Sequence, residues 1–504
     1  MRPRALVLLS ALCAAPVAAD PLFSPRPISD HVYDGGWEHF VGGGVASFDC
    51  NGDTLPELYA AGGENPAQLF LNRSAPGGAI AFEPAEGGLA MTGVIGAYPL
   101  DIDSDGLMDL AVLRVGENRL MRGVGGCHFV PFQGMGFDGG DRWTTAFSAT
   151  WEAGQVLPTL AFGNYVNRDD PEGPFEACDA NHLYRPDGPA YAPAEVLEPG
   201  FCALSMLFTD WGRRGRADLR VSNDRHYYVR DGEEQMWAMD PRPRLYGAGD
   251  GWNRHMLWGM GIASRDLDGD GLPEVYLTSM ADQRLQMLEP GASGPSYRDA
   301  PFESGATAHR PYTGGDGRPS TGWHAVFGDV DNDGWDDLFV AKGNVEQMPG
   351  SAMDDPNNLL MGRSDGRFYE AGLEAGVASL HRARGAALVD MNADGLLDLA
   401  VLNRRAPLEL YQNVTEGGGN WLSVSVHQDG VNPDAVGAFV ELRAGDRVWT
   451  QEITVGGGHA GGSAGPLHFG LGAMEQAELR VIWPDGMAGD WQPVELNQAI
   501  AVTR

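Results

Sequence analysis

Asp329-Val330-Asp331-Asn332-Asp333-Gly334-Trp335-Asp336-Asp337 lies between two apolar runs, Ala325-Val326-Phe327 and Leu338-Phe339-Val340. In this nine-residue frame the side chains at positions one, three, five and nine can converge on one cation. A backbone carbonyl near position seven adds a further oxygen, and Gly at position six permits the sharp turn. The segment recurs as FDCNGDTLPEL at Asp49, LDIDSDGLMDL at Asp101, RDLDGDGLPEV at Asp266 and VDMNADGLLDL at Asp390. Weaker copies begin at Trp151 (TWEAGQVLPTL) and Asp210 (TDWGRRGRADL). The intervals between the seven starts are 52, 50, 59, 56, 63 and 61 residues.

A period near 50 residues with about four short strands per unit fits the blade of a β-propeller. Each acidic loop joins a first strand to a second, such as DLAVL. A third follows, such as NNLLMG or NHLYRP, and a fourth is expected to carry an aromatic: Phe82, Phe129, Tyr191, Trp237, Tyr297 or Phe368. The seventh unit ends after its third strand, LELYQN, while Leu22-Phe23-Ser24-Pro25 precedes the first unit as an orphan strand. The N-terminal segment is therefore expected to complete the last blade and close the ring, leaving no long unpaired edge. The predicted fold is all-β: a seven-bladed propeller over residues 20–415, then a small β-sandwich over 416–504.

Five loops keep the full ligand set: Asp49, Asn51, Asp53, Glu57; Asp101, Asp103, Asp105, Asp109; Asp266, Asp268, Asp270, Glu274; Asp329, Asp331, Asp333, Asp337; and Asp390, Asn392, Asp394, Asp398. One isolated Asp-Gly is read as well by a hairpin turn; five loops in register at one period point to metal. Hard oxygen donors in a pliable loop favour Ca2+ over Mg2+, which demands stricter octahedral geometry. About five Ca2+ ions are expected. In the Asp210 loop, Arg214 stands where an acid is expected, so its guanidinium should replace the ion, with Asp218 as partner. In the Trp151 loop, Trp151, Ala153, Gln155 and Thr159 replace all four ligands, and no metal is expected.

The 504 residues carry 35 Lys+Arg against 69 Asp+Glu, a net charge of −34. A nucleic-acid binder would need a basic footprint, so that class is disfavoured. No later stretch is long and apolar enough to span a membrane. Arg2 and Arg4 precede an apolar run from Ala5 to Ala15, and Val17-Ala18-Ala19 supplies small residues: residues 1–19 read as an export signal, cleaved before Asp20. The mature chain would meet an oxidising periplasmic or extracellular compartment with four cysteines. Cys178 with Cys202 is the preferred disulfide, because both lie in one unit; Cys50 with Cys127 is the weaker choice.

The loops resemble the FG-GAP or VCBS repeats of integrin α-subunit propellers. The C-terminal segment resembles an ASPIC/UnbV domain through Val436-Gly437-Ala438, Gly456-Gly457-Gly458, Leu467-His468-Phe469-Gly470-Leu471-Gly472 and Trp483-Pro484-Asp485-Gly486. Together they are similar to the cartilage acidic protein family and its bacterial relatives. That resemblance implies a calcium-binding, seven-bladed propeller with a small β-domain behind it, and export; it implies no agreed reaction. Residues 420–504 also read independently as short strands separated by Gly and Asp turns. His459 and His468 within them are read as turn and strand hydrogen bonders.

The propeller mouth opposite the acidic loops collects an unexpected composition for an acidic chain. Strand starts bring His39, Arg142, Trp143, His255, Trp258, Trp323, His324, His381, Arg382 and Arg384. Second-strand ends bring Asn164, Asn223, Arg225, His226, Lys342 (the sole lysine), Asn344, Asn403 and Arg404. Arg forks suit carboxylate, sulfate or phosphate, and Trp with Asn suits sugars. The expected function is a binding module for an extracytoplasmic protein, a glycan or an anionic small molecule. The alternatives are an enzyme using a His/Arg/Asn cluster at this mouth, with a His as base, and a structural surface or matrix protein. No Gly-x-Ser-x-Gly, His-Glu-x-x-His or phosphate loop occurs.

Overall fold

A computed structural model describes residues 19–170, 177–224, 232–240, 242–307, 310–311 and 317–504. Residues 1–18 of the expected leader, and the mouth residues Arg225 and His226, lie outside them. The first repeat is an antiparallel meander of Val45–Phe48, Glu57–Ala60, Gln68–Asn72 and Phe82–Ala85. Further four-stranded units begin at Val94–Leu100, Asp141–Thr150, Ala203–Thr209, Gly259–Arg265, Gly322–Gly328 and Arg382–Val389. The last unit continues through Asp398–Arg404 and Glu409–Asn413 and takes Phe23–Arg26 as its fourth strand, with Phe23 opposite Asn413. The first strands pack against one another in cyclic order, the last returning to the first, which closes a β-propeller. These inner strands are apolar without alternation because both faces are covered; all seven residues of Val94–Leu100 are buried.

Two expected fourth-strand aromatics fall elsewhere. Tyr191 belongs to an extra hairpin, Pro186–Asp187 with Ala190–Tyr191, that precedes the fourth strand Glu195–Leu197. Trp237 lies in the third strand Gln235–Ala238, and the fourth is Arg244–Leu245. An inserted hairpin and a displaced edge strand leave the aromatic spacing looking regular while the pairing changes.

The strands after Asn413 form two sheets around one core. Asn420–His427 lies between Leu467–Gly472 and Gln498–Thr503, and Phe439–Ala444 lies between Arg447–Glu452 and Ala477–Ile482. Leu422, Val424, Val440, Leu442, Phe469 and Val481 share that core.

From these sheets the Gly-rich segment 455–463 runs into the axis of the propeller. Its residues bridge the inner strands of five successive units: Val455 to Ala149, Gly456 to Leu207, Gly458 to Ile262, Gly461 to Ala97 and Ser463 to Ser47. The His459 N–H reaches the Nδ1 of His324 in the sixth unit at 3.0 Å. This strap needs bare backbone on both sides. A Cβ placed on Gly96 would lie 1.5 Å from the carbonyl oxygen of Ala460. Gly96→Ala is therefore expected to push the strap aside at a cost of about 3 kcal/mol. The check is a lowered melting temperature together with new proteolytic cleavage inside 455–463.

Candidate functional site

Six of the seven loops share one frame. The carboxylate at position one accepts N–H groups from the turn it encloses: Asp49 from Gly52 and Thr54, Asp101 from Asp105 and Gly106, Asp210 from Arg214 and Gly215. Asp266, Asp329 and Asp390 accept equivalent bonds from Gly271, Gly334 and Gly395. Position six takes a left-handed backbone in all six, with φ 84° at Gly106 and 95° at Gly334, which explains the recurrent glycine. The first loop holds Thr54 there, at φ 71°.

The acid at position nine is fixed from two sides. Asp109 accepts the N–H groups of Ile102 and Gly123, Asp337 those of Val330 and Gly362, and Asp398 those of Met391 and Asn413. One donor of each pair lies in the loop and the other at the end of the unit's third strand, so the carboxylates are positioned before any ion arrives. Three sets gather carboxylate oxygens within 4.8 Å of one another: Asp101, Asp103 and Asp109; Asp266, Asp268 and Glu274; Asp329, Asp331 and Asp333. Burial, reinforced by neighbouring carboxylates, raises Asp101 and Asp266 to about 6, Asp331 to about 7, and Asp109 and Glu274 to about 8. Asp329 and Asp337, buried side by side, rise well above the usual carboxylate range.

These residues fit a hard cation. Asp103 Oδ1 and Asp331 Oδ2 are buried without a hydrogen-bond partner, the oxygens a divalent ion would satisfy. The second loop also carries Arg122, whose guanidinium lies 2.8 Å from Asp103 and 2.7 Å from Asp105. The first and seventh loops are looser. There the amides of Asn51 and Asn392 point their nitrogens at Glu57 and Asp394, at 2.9 Å each. In both, burial still raises the ninth acid, Glu57 to about 7 and Asp398 to about 8.

The two divergent loops carry their own cations. Arg214 reaches Asp218 at 2.7 Å and stacks on Trp211, so a guanidinium stands in the metal's place as the sequence implied. In the third loop Arg185 pairs with Glu152 at 2.7 Å, and Glu152 accepts the Thr159 hydroxyl.

The C-terminal sheets sit on these loops, an arrangement the sequence reading did not anticipate. The Asn432 N–H donates to Ser104, Trp449 Nε1 to the Gly334 carbonyl at 2.9 Å, and Gly419 to the Asp331 carbonyl. His468 Nε2 lies 2.7 Å from the Asn332 amide oxygen, and Arg447 lies 3.4 Å over the Trp335 ring. Gly470 passes so close that a Cβ there would meet Asp329 Oδ2 at 1.9 Å. His459 and His468 thus serve as hydrogen bonders at the two ends of this contact.

At the opposite mouth most of the expected ligand groups are spent inside the fold. Trp323 donates to Gly343, carries the Arg384 guanidinium 4.0 Å above its ring and lies 5.0 Å from His459. Arg384 is fully buried and donates to the carbonyls of Phe40, Ala383, Asn344 and Val345. Lys342 is fully buried against Asp355 at 3.0 Å and Asn358 at 2.9 Å. Arg404 bonds Glu346 and the His39 and Gly35 carbonyls, Arg142 bonds Asp179, and Asn344 and Asn403 close their own loops. Asn164 and Asn223 donate to the Ala180 and Glu233 carbonyls. Trp143 packs against Phe40 and Tyr165. Trp258 bridges Asp224 through the backbone, and His39 lies buried 3.9 Å from Glu64. Burial lowers His255 and His324 to about 4 and His459 to about 3, leaving neutral rings: His255 Nδ1 lies 3.0 Å from the Gln286 amide nitrogen, His324 Nδ1 accepts the backbone N–H of His459, and His459 Nε2 accepts the Gly42 N–H. His381, half exposed beside Glu409 at 3.1 Å, and the half-buried Arg382 remain accessible. Among the described residues most buried donors at this mouth take a protein acceptor, whereas the indole Nε1 of Trp143 has none.

Both cysteine pairs are joined, Cys178 with Cys202 and Cys50 with Cys127. In the chain-entropy account the pair 24 residues apart stabilises by about 3.5 kcal/mol and the pair 77 residues apart by about 4.5 kcal/mol. They fit an extracellular protein, and no helix among the described residues is long and apolar enough to cross a membrane.

Residues 428–504 match the ASPIC and UnbV family, and residues 49–149 and 329–401 match FG-GAP-like repeats. Human cartilage acidic protein 1 is 30% identical over 171 residues, which are 32% of this chain and 23% of that protein. Among solved structures, BBS1N in its complex with ARL6DN is 10% identical, at a TM-score of 0.45 over 79% of this chain and 97% of its own. Rhamnogalacturonan lyase of Bacillus licheniformis is also 10% identical, at a TM-score of 0.36 over 77% of this chain and 75% of its own.

Proposed function

We propose that this chain is an exported β-propeller that binds calcium in its acidic loops and acts as a binding module for a protein, a glycan or an anionic small molecule. The observation that carries the reading is the common loop frame. Its carboxylates are held by backbone N–H groups, crowded together, buried and left with unsatisfied oxygens. Calcium would be held by Asp101, Asp103, Asp105 and Asp109 in the second loop, and by the corresponding residues in the first, fifth, sixth and seventh. The bound ion supplies charge neutralisation and rigidity there. The chain's own part is to present those oxygens and to seat the C-terminal sheets upon them.

The buried, neutral His324 and His459 at the opposite mouth favour binding over proton transfer, since His324 Nδ1 and both ring nitrogens of His459 already serve the fold. The disulfides and the leader-like N-terminal sequence support export. The test is a thermal-melt panel of the calcium-loaded mature chain against sugars, organic acids and sulfated or phosphorylated compounds, with a parallel capture from the exported proteome. A small ligand at a hundred times its dissociation constant adds about 2.7 kcal/mol of stability. A melting shift or a captured partner that is lost in chelator is the expected result. No shift and no partner in either arm contradicts the binding-module reading.

A further inference from the structure

The two loops that abandon the metal pattern stand side by side under the C-terminal sheets, and a cavity of about 400 Å³ opens between them and those sheets. That is within the size range of small-molecule sites. Where other loops place their first carboxylate, the third loop places Trp151, which lines the cavity; the fourth loop contributes Arg213 and Arg216. Phe439, Arg480 and Trp483 close it from the C-terminal side.

The charges are arranged for an anion. Glu441 accepts from Arg213 and from Arg480, at 2.6 Å each, and so is already engaged by both. A guanidinium has five N–H groups, so each arginine keeps donors beyond that bond. The other lining acids are occupied as well: Asp210 by the N–H groups of its own loop, and Glu452 by the Thr209 hydroxyl and the Asp210 N–H. Among the described residues Arg216 pairs with the exposed Asp240, at 3.1 Å. Trp151 Nε1 is buried with no hydrogen-bond partner among the described residues, and Trp483 offers an apolar wall.

We infer that this cavity binds a carboxylate carried on a ring, the carboxylate held by the free N–H groups of Arg213, Arg216 and Arg480 and the ring lying against Trp151 and Trp483. Arg–carboxylate forks supply the orientation and the indoles the flat contact. A sugar acid and an aromatic acid share this chemistry. The inference rests on the reading of the chain as a binding module and names its site.

The test is calorimetric titration of the full mature chain in calcium with glucuronate, galacturonate, benzoate and glucose. Saturable one-to-one binding of at least one carboxylate, with none for glucose, is expected. Preference for the uronates assigns a sugar acid, and preference for benzoate an aromatic one. Trp151→Ala and Arg480→Gln should each weaken binding about tenfold. Arg216→Gln, whose side chain is 40% exposed, tests the same site if Arg480→Gln lowers stability through Glu441. Absence of carboxylate binding, equal binding of glucose, or binding unchanged in both Trp151→Ala and Arg216→Gln overturns the inference. A chain that takes up calcium yet ignores every carboxylate contradicts the cavity alone. A chain that binds no calcium contradicts the earlier reading, and the same titration in chelator still decides the cavity.

Discussion

Stripping calcium with a chelator lowers the melting temperature of the mature chain, and the loss grows as the pH rises from 5 to 8. Extracellular calcium modules bind with dissociation constants near 0.1 mM. At about 2 mM free ion each such site adds about 1.8 kcal/mol, or about 9 kcal/mol over five, a shift on the order of 10 °C for a chain of this size. The pH dependence has a definite sign. In the metal-free chain burial raises Asp101 and Asp266 to about 6, and Asp109, Glu274 and Asp398 to about 8. Unfolded carboxylates titrate near 4. Through these groups the folded state holds more protons than the unfolded one between about pH 4 and 8; the buried neutral histidines act in the opposite sense only below about pH 6.5, so stability falls most clearly as the pH rises from about 6.5 to 8. With calcium the ion takes the protons' place, so the fall should disappear. Melting curves at pH 5.5, 6.5 and 8, with calcium and with chelator, check this. A chelated chain that gains stability from about pH 6.5 to 8 contradicts it.

Lys342→Met destabilises the propeller by about 3–5 kcal/mol, because it leaves Asp355 charged in a site from which water is excluded. Both side chains are fully buried, and among the described residues Asp355 otherwise accepts only the Ser320 hydroxyl and the Thr321 N–H. Adding Asp355→Asn removes the stranded charge while keeping an oxygen for those donors, so the double variant should recover most of the loss. Denaturant midpoints of the two single variants and the double variant measure the coupling. Near-additive losses contradict the buried pair.

Such buried groups also mark where the sequence is readable and where it is not. The repeat, the shared loop frame and the Arg214–Asp218 pair were legible because each follows from a fixed spacing within one unit, and the pairing of Phe23–Arg26 with Glu409–Asn413 because the last unit lacks a fourth strand. Arg384 and Arg404 were expected as ligand groups at the mouth, yet their partners include backbone carbonyls far away in sequence, Phe40 and His39, which no local pattern announces. The strap 455–463 was legible only as a family resemblance. A glycine run carries no side-chain pattern, and its partners belong to different inner strands. The same holds for the seating of the C-terminal sheets on the acidic loops, which rests on contacts such as Trp449 with Gly334 and His468 with Asn332.

The measurement closest to the central claim is a calcium titration of the chelator-stripped mature chain, read by calorimetry and by metal analysis. Five equivalents are expected, in two classes. The loops at Asp101, Asp266 and Asp329, with four carboxylates each, should fill first, and those at Asp49 and Asp390, with an asparagine at position three, later, because ligand charge sets affinity. Asp331→Asn should move one equivalent from the first class to the second. Fewer than three equivalents, or uptake unchanged in that variant, would contradict the account.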